Sequence, residues 1–113
     1  TLSLHDALPI SELSYKKTQK EVDSQVRTAW LLFDLAITNR DTAIKKLQVA
    51  EKSWEMAHEK YQAGLLSSLE VEASMDDLAE AEMQLLGHEM NLQLAWMEYL
   101  RASGQFTEVF GLP

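Results

Sequence analysis

The sequence predicts an all-α fold built as one long antiparallel helical hairpin. Two long stretches repeat apolar residues at alternating steps of three and four, and Gly64 lies between them. This spacing is typical of helices that bury one narrow stripe against a partner helix. A connection of only a few residues forces two such helices to lie side by side in opposite directions.

The first predicted helix covers about residues 18–62, where neither proline nor glycine occurs and good helix formers dominate. Within its apolar stripe, alanine returns at every seventh position from Ala29 through Ala57, and large side chains fill the other core positions. Arg40 is the one polar residue in the stripe. We expect the stripe to form the hairpin seam. Its members are Val22, Val26, Ala29, Phe33, Ala36, Arg40, Ala43, Leu47, Ala50, Trp54, Ala57 and Tyr61.

The turn is predicted over residues 64–67. Gly64 interrupts the apolar pattern at the place where a helix C-terminus favours glycine. Ser67 and Glu70 then have the spacing of a capping box, in which each side chain satisfies a backbone N–H at the start of a helix.

The second predicted helix covers about residues 68–103 and is expected to stop at Gly104, which leaves residues 105–113 as a short tail. Gly87 lies inside this helix and should cost about 1 kcal/mol relative to alanine. The seam on this helix again shows three-four spacing. Its members are Val71, Ser74, Leu78, Ala81, Leu85, His88, Leu92, Ala95, Tyr99 and Ala102.

When residues of the two helices at equal distances from the turn are matched, most small residues face small residues and most large residues face large ones. The pairs Ala50–Ala81 and Phe33–Tyr99 are examples. Alanine layers let the helix axes approach near the lower end of the usual range of about 8–10 Å.

Apolar side chains also lie outside the seam, so we expect the hairpin to have neighbours. A lone pair of helices has too little core to be securely stable. Apolar residues left in water usually mark an interface. These side stripes are Trp30, Ile37 and Ile44 on the first helix, and Met75, Leu86, Met90, Met97 and Leu100 on the second.

The charge of the chain disfavours nucleic-acid binding, because 18 acidic against 10 basic residues give a formal charge of −8. There is no cysteine, no run of about 18 apolar residues that would span a membrane, and no visible signal peptide. One acidic stretch contains no Lys or Arg and is interpreted as a solvated face rather than a cation-attracting mouth. Its acidic residues are Glu70, Glu72, Asp76, Asp77, Glu80 and Glu82.

Residues 1–10 read TLSLHDALPI, which is the literal translation of ACTCTTTCCCTACACGACGCTCTTCCGATC, part of a widely used sequencing-library adapter. We therefore expect this segment to be non-native and the true start of the parent protein to be missing. The candidate hairpin domain is accordingly residues 11–104.

No catalytic, metal or cofactor site is predicted. Glu55 and His58 have the spacing of a di-iron motif, but no second copy of that motif occurs, so we interpret the spacing as coincidence. His88 is expected to pack in the seam as a neutral side chain. Arg40 is expected either to pair with Glu89 or to extend to water.

The segment from Tyr61 to Val71 resembles the tip turn of the TolC family of outer-membrane efflux proteins. In that family a tyrosine is followed by a glycine three residues on. An acidic residue with an aliphatic partner follows the turn, and then leucine and alanine occur at helical spacing. The residues that fit these positions are Tyr61, Gly64, Glu70, Val71, Leu78 and Ala81. The stretch from Leu92 to Gly104 resembles the end of the family's helix, so the resemblance covers about residues 22–104.

The chain departs from the family pattern at several positions. Glu72 stands where leucine is usual and Ser74 where alanine is common. Leu65 and Leu66 occupy the turn, where family members can carry charged residues. The membrane-crossing β-hairpin and one of the family's two repeats are absent from the chain. What remains resembles the helical hairpin of one repeat, and we favour the second.

The resemblance implies a passive duct for efflux or type I secretion that does no chemistry. Three protomers would build a helical tunnel in the periplasm of a diderm bacterium and would be held in the outer membrane by β-strands absent from this chain. The hairpin tip would contact a periplasmic adaptor, and an inner-membrane pump would supply energy. The implied tip residues are Tyr61, Gly64, Leu65, Leu66, Ser67, Ser68, Glu70 and Val71.

Two alternatives remain open. The hairpin could belong to a periplasmic adaptor, although the tail after Gly104 shows no strands of the lipoyl-like domain that flanks such hairpins. It could also be a soluble coiled-coil interaction module without a link to export. The absence of any catalytic constellation disfavours an enzyme.

Overall fold

The computed structural model describes the backbone of residues 4–110 and the side chains of residues 12–104. Within that part the chain is all-α and has no strand, and two long helices form a hairpin. Helix α1 is Leu4–Gln62 and helix α2 is Ser68–Phe110. The predicted all-α helical hairpin is thus confirmed. Over the residues described, neither helix carries an apolar stretch of the kind needed to cross a bilayer.

Both helices extend further from the turn than the sequence predicted. Helix α1 begins at Leu4 rather than near residue 18, so most of the adapter-like segment has a helical backbone. Once a helix exists, each added residue gains one hydrogen bond without a new nucleation step. Helix α2 continues past Gly104 to Phe110, so the predicted short tail is wrong for residues 105–110. Gly104 does not adopt the positive φ with which glycine ends a helix.

The chain divides into two compact units. One consists of Thr1–Asp34 with Ala95–Pro113, and the other is Leu35–Leu94, which contains the turn. Each unit therefore contains a segment of α1 and a segment of α2.

In the unit Leu35–Leu94, the sheltered residues of α2 are those of the predicted seam. Between Ser67 and Leu94 every residue outside the seam is exposed. On α1, Ala36 and Ala43 are buried, and the other predicted seam residues up to Ala57 are half-buried. The half-buried α2 residues are Val71, Ser74, Leu78, Ala81, Leu85, His88 and Leu92.

The structure corrects one seam prediction in this unit and removes one alternative of another. Tyr61 is 47% exposed and does not extend the seam, because the chain leaves the helix directly after Gln62. Of the two alternatives for Arg40, pairing with Glu89 is not found, because the guanidinium donates to the exposed Asp41 Oδ1 from Nε at 3.3 Å and from Nη2 at 3.1 Å.

In the other unit, Val22, Ala29 and Ala102 are buried, and the same unit contains an aromatic cluster. The cluster is centred on Phe33 and Tyr99, whose ring centroids lie 6.3 Å apart at an interplanar angle of 15°. This contact agrees with the predicted register for that pair. Such aromatic contacts add stability beyond the area they bury.

Two tryptophans flank that aromatic pair. Trp30 lies 5.5 Å from Tyr99, and Trp96 lies 5.1 Å from Phe33, measured between ring centroids. They are nevertheless 50% and 43% exposed, so they are edges of the cluster rather than core residues. Within residues 12–104, the buried core contains no side chain larger than valine.

The turn is fixed by two complementary caps. Gly64 has φ +76°, its N–H donates to the Tyr61 carbonyl at 3.0 Å, and the Leu65 N–H donates to the Lys60 carbonyl at 2.8 Å. This is the pairing of a Schellman motif, which satisfies carbonyls left open at the end of α1.

The start of α2 has the predicted capping box. Ser67 N–H donates to Glu70 Oε2 at 3.0 Å, and Glu70 N–H donates to Ser67 Oγ at 3.3 Å. The first intrahelical bond runs from Val71 N–H to the Ser67 carbonyl at 3.2 Å. Each side chain therefore satisfies a backbone donor that the helix leaves unpaired.

We predict opposite effects of one substitution at two glycines. Gly64→Ala should lower the free energy of unfolding by about 1–2 kcal/mol, because an L-residue at positive φ is strained. Gly87→Ala should raise it by about 0.5–1 kcal/mol, because alanine is the better helix former and an added Cβ meets open space there. Urea unfolding followed by circular dichroism measures both changes, and a loss at Gly87 or a gain at Gly64 would contradict the assignment.

Candidate functional site

The tip of the hairpin presents apolar side chains to solvent. Leu65 is 75% exposed and Leu69 is 74% exposed, and each lies two residues from Ser67. Tyr61, in the last turn of α1, is 47% exposed. Monomeric proteins rarely leave neighbouring apolar groups of this size in water, so this surface is a candidate partner-binding site.

The predicted tip residues do not all face solvent. Leu66 and Val71 are half-buried, so their side chains shelter the turn. Ser67 and Glu70 are exposed but are engaged with each other in the capping box. Ser68 is exposed. Together with Gly64, five predicted tip residues therefore maintain the turn, while Tyr61, Leu65 and Ser68 remain accessible.

Leu69 was missed by sequence reasoning. It lies outside the seam spacing, and a leucine in the first turn of a helix carries no particular signal. Its position relative to the capping box could have indicated it. Residues at the second helical position point away from a seam that begins at the fourth, which is Val71.

Charge is distributed very unequally between the two helices. Helix α2 contains nine Asp and Glu residues and one Arg, a formal charge of −8, whereas α1 contains nine acidic and nine basic residues. The net charge of the whole chain therefore belongs to α2. Between Lys60 and Arg101 the sequence contains no basic residue apart from histidine. A partner that contacts α2 must tolerate or neutralise this field.

A second apolar stripe runs along α2 outside the seam. Its side chains follow each other at steps of three, four and seven residues, and each is at least half exposed. At about 100° per residue, the stripe lies roughly 150° around the helix from the seam. Helix α2 thus has apolar surface on two nearly opposite sides. In the unit Leu35–Leu94 the stripe consists of Met83, Leu86 and Met90, and Met97 and Leu100 belong to the other unit.

Helix α1 shows two further apolar sets. Ile37 and Ile44 are half-buried, so the hairpin itself shelters them more than the side-stripe prediction implies, whereas Trp30 is half exposed. On the outer face, Val49 is 70% exposed and Met56, seven residues later, is 52% exposed. The second set was not predicted, because threonines interrupt it at Thr28 and Thr42.

The candidate histidine His58 contacts residues of its own helix. His58 stacks on Trp54 with ring centroids 5.3 Å apart, and its Nε2 lies 3.2 Å from Gln62 Nε2. Within residues 12–104, no three His, Asp or Glu side chains are grouped so that they could hold a metal ion.

In the unit that contains the aromatic cluster, one exposed ion pair shifts the pKa of both of its side chains. Arg101 donates to both carboxylate oxygens of Glu98. These hydrogen bonds hold the pKa of Glu98 below its ordinary value and raise the pKa of Arg101. Both groups are in water, so the pair orders side chains but contributes little to stability.

Comparison with protein families, curated proteins and solved structures finds no match for this chain.

We predict that Ser74→Ala stabilises the hairpin. Ser74 lies in the seam, and its Oγ is buried without a hydrogen-bond partner among the described residues. Alanine removes the unsatisfied hydroxyl and has the higher helix propensity, so the free energy of unfolding should rise by about 1 kcal/mol. Ser53→Ala, at an exposed position of α1, is the matched control and should gain only the propensity difference. Equal gains in urea unfolding would show that the Ser74 hydroxyl is satisfied.

Proposed function

We propose that this chain is a helical hairpin from the wall of a TolC-like trimeric outer-membrane duct, a passive exit route for efflux or type I secretion. In this proposal the hairpin lies in the periplasm. Its tip contacts a periplasmic adaptor, an inner-membrane pump supplies the energy, and the hairpin performs no reaction.

The observation that carries the proposal is the second apolar stripe of α2. A helix that belongs only to a two-helix module needs one apolar side, whereas a helix inside a closed wall needs one for each neighbour. The stripe of Met83, Leu86 and Met90 lies far around α2 from the seam, as a wall helix requires. The resemblance of residues 61–71 to the family's tip turn supports the same proposal.

The form of the tip favours docking. Its caps satisfy the backbone groups of the turn from within the chain, so a partner need not supply those hydrogen bonds. Leu65, Leu69 and Tyr61 remain accessible as an apolar surface. A pre-ordered turn also loses little conformational entropy when a partner binds.

A chimeric duct tests the proposal. Residues 22–104 would replace one helical hairpin of an established TolC-type duct, and this chimera would be expressed in a bacterium whose own duct protein has been deleted. We expect the chimera to form detergent-stable trimers and to restore export of a fluorescent substrate. Leu65→Asp combined with Leu69→Asp should lower export at least about tenfold with the trimer intact, because charge on the tip opposes apolar docking.

Leu94→Asp is the matched control, because Leu94 is 63% exposed on the same helix but lies far from the tip. It should preserve export. A chimera that folds as a helical hairpin but never assembles would contradict a place in the duct wall. Trimers whose export is insensitive to the tip substitutions would contradict adaptor docking at the tip.

A further inference from the structure

Gly87 is a residue that the packing of the hairpin itself does not explain. It lies inside α2, where glycine is less favourable than alanine because it loses more backbone freedom on folding. Its φ is not positive, so no special backbone conformation requires glycine there. A Cβ added at this position would meet nothing within 4 Å, so contact with α1 does not require a small residue either. The hairpin alone therefore gains nothing from this glycine.

Exposed apolar side chains surround Gly87 on the helix surface. Met83, Leu86 and Met90 are 74%, 58% and 59% exposed. Together with Gly87 they occupy positions i, i+3, i+4 and i+7, which are the four positions that form the hole for one side chain of a facing helix. Because glycine has no side chain, one of the four positions leaves its space open. We call these four residues the Gly87 socket.

Carboxylates flank the Gly87 socket. Three exposed glutamates lie three or four residues from Met83 or Leu86, which places them beside the socket on the helix surface. Among the described residues no ion pair includes any of the three, and one of them accepts a hydrogen bond from Gln84 Nε2 at 3.4 Å. The sequence has no Lys or Arg between residues 60 and 101, so α2 places no cation near them. The glutamates are Glu80, Glu82 and Glu89.

Charge complementarity indicates which kind of helix fits the socket. An apolar side chain with Lys or Arg on both sides would bring cations beside the three glutamates, whereas acidic flanks would be repelled. A second copy of this hairpin does not offer such a surface. Its α2 carries the same negative charge, and the exposed lysines in the tip half of its α1 are interspersed with Glu51, Glu55 and Glu59. The complementary helix therefore has a different sequence.

We propose that the Gly87 socket binds one large apolar side chain of a neighbouring α-helix, which belongs to a segment of different sequence and carries Lys or Arg on both sides of that side chain. The proposal rests on the proposed function, in which α2 has a neighbour in the wall, and it names the chemistry of that neighbour. Gly87 then has a use, because the missing side chain lets the inserted group approach the α2 backbone closely.

Binding of designed helical peptides to the full chain tests this pairing. The probe is a dye-labelled peptide of about three heptads, held helical by a hydrocarbon staple on its far face, with leucine along its contact stripe and lysine on both flanks. A second peptide has glutamate on its flanks, and a third keeps the lysines but has alanine in place of leucine. We expect fluorescence anisotropy to show that the leucine–lysine peptide binds at least about tenfold more tightly than either reference peptide.

Filling the socket separates binding from stability. Gly87→Leu leaves the charge unchanged and introduces a better helix former, so the midpoint of urea unfolding should not fall. The added side chain occupies the space of the inserted group, so affinity for the leucine–lysine peptide should fall about tenfold. Ser53→Leu, which adds the same side chain at an exposed position of α1, is the matched control and should leave the affinity unchanged.

Neutralising the flanks tests the charge complementarity. Glu80→Gln combined with Glu89→Gln should lower the affinity for the leucine–lysine peptide about fivefold at low ionic strength, because two exposed ion pairs are lost and each contributes modestly. Glu51→Gln combined with Glu55→Gln makes an equal change of charge at exposed positions of α1. This control should leave the affinity unchanged.

Each contrary result overturns the inference. Equal binding of all three peptides would show non-specific association, and no binding by any peptide would show that the socket does not take a basic-flanked helix. Binding that Gly87→Leu does not weaken would lie outside the socket, and binding insensitive to the glutamate substitutions would be purely apolar. The duct proposal survives all these results if the chimeric duct still assembles and exports. Peptide binding without assembly of the chimera would contradict the duct proposal alone, so the two failures are distinguishable.

Discussion

The seam between the two helices is the constraint on which the rest of the structure depends. Within residues 12–104 its buried positions are alanines and one valine, which permit a close approach of the helix axes, and no large side chain is removed from water completely. Larger seam residues such as Leu85 and Trp54 remain half-buried. Hydrophobic stabilisation scales with the apolar area removed from water. A seam whose large side chains stay half-buried therefore provides only part of the stabilisation that their full burial would give. The seam holds the two helices together but leaves further apolar surface of the hairpin exposed.

The apolar surface that the seam leaves exposed connects the fold with the proposed function. The apolar groups that the seam does not shelter are arranged along faces, at the tip around Leu65 and Leu69 and along α2 from Met83 to Leu100. The caps of the turn make the tip self-sufficient in hydrogen bonds. Because the net negative charge lies on α2, the outer faces of the two helices differ in charge. A structure with a defined seam, a pre-ordered tip and distinct flanks is suited to assembly with other proteins.

Periodicity and capping chemistry predicted the hairpin, the seam on α2 and the turn, because these depend on neighbours three or four residues apart and on the backbone freedom of Gly64. The helix ends were predicted less well. A glycine such as Gly104 stops a helix only when it adopts positive φ, and the sequence alone does not fix that angle. The exposure of individual tip residues could not be predicted for a similar reason. A motif shows that Leu66 and Val71 belong to the turn, but their burial depends on how the chain folds back.

The separation of α1 and α2 in the unit Leu35–Leu94 tests the central claim most directly. Lys46 and Gln84 are both exposed and lie at similar heights on the two helices. Spin labels at Lys46→Cys and Gln84→Cys in the full chain would report their distance by double electron–electron resonance. A seam with close helix axes predicts a distance within about 20 Å. A helix that continued unbroken through Gly64 would separate the labels by roughly 55–60 Å, and that result would contradict the account.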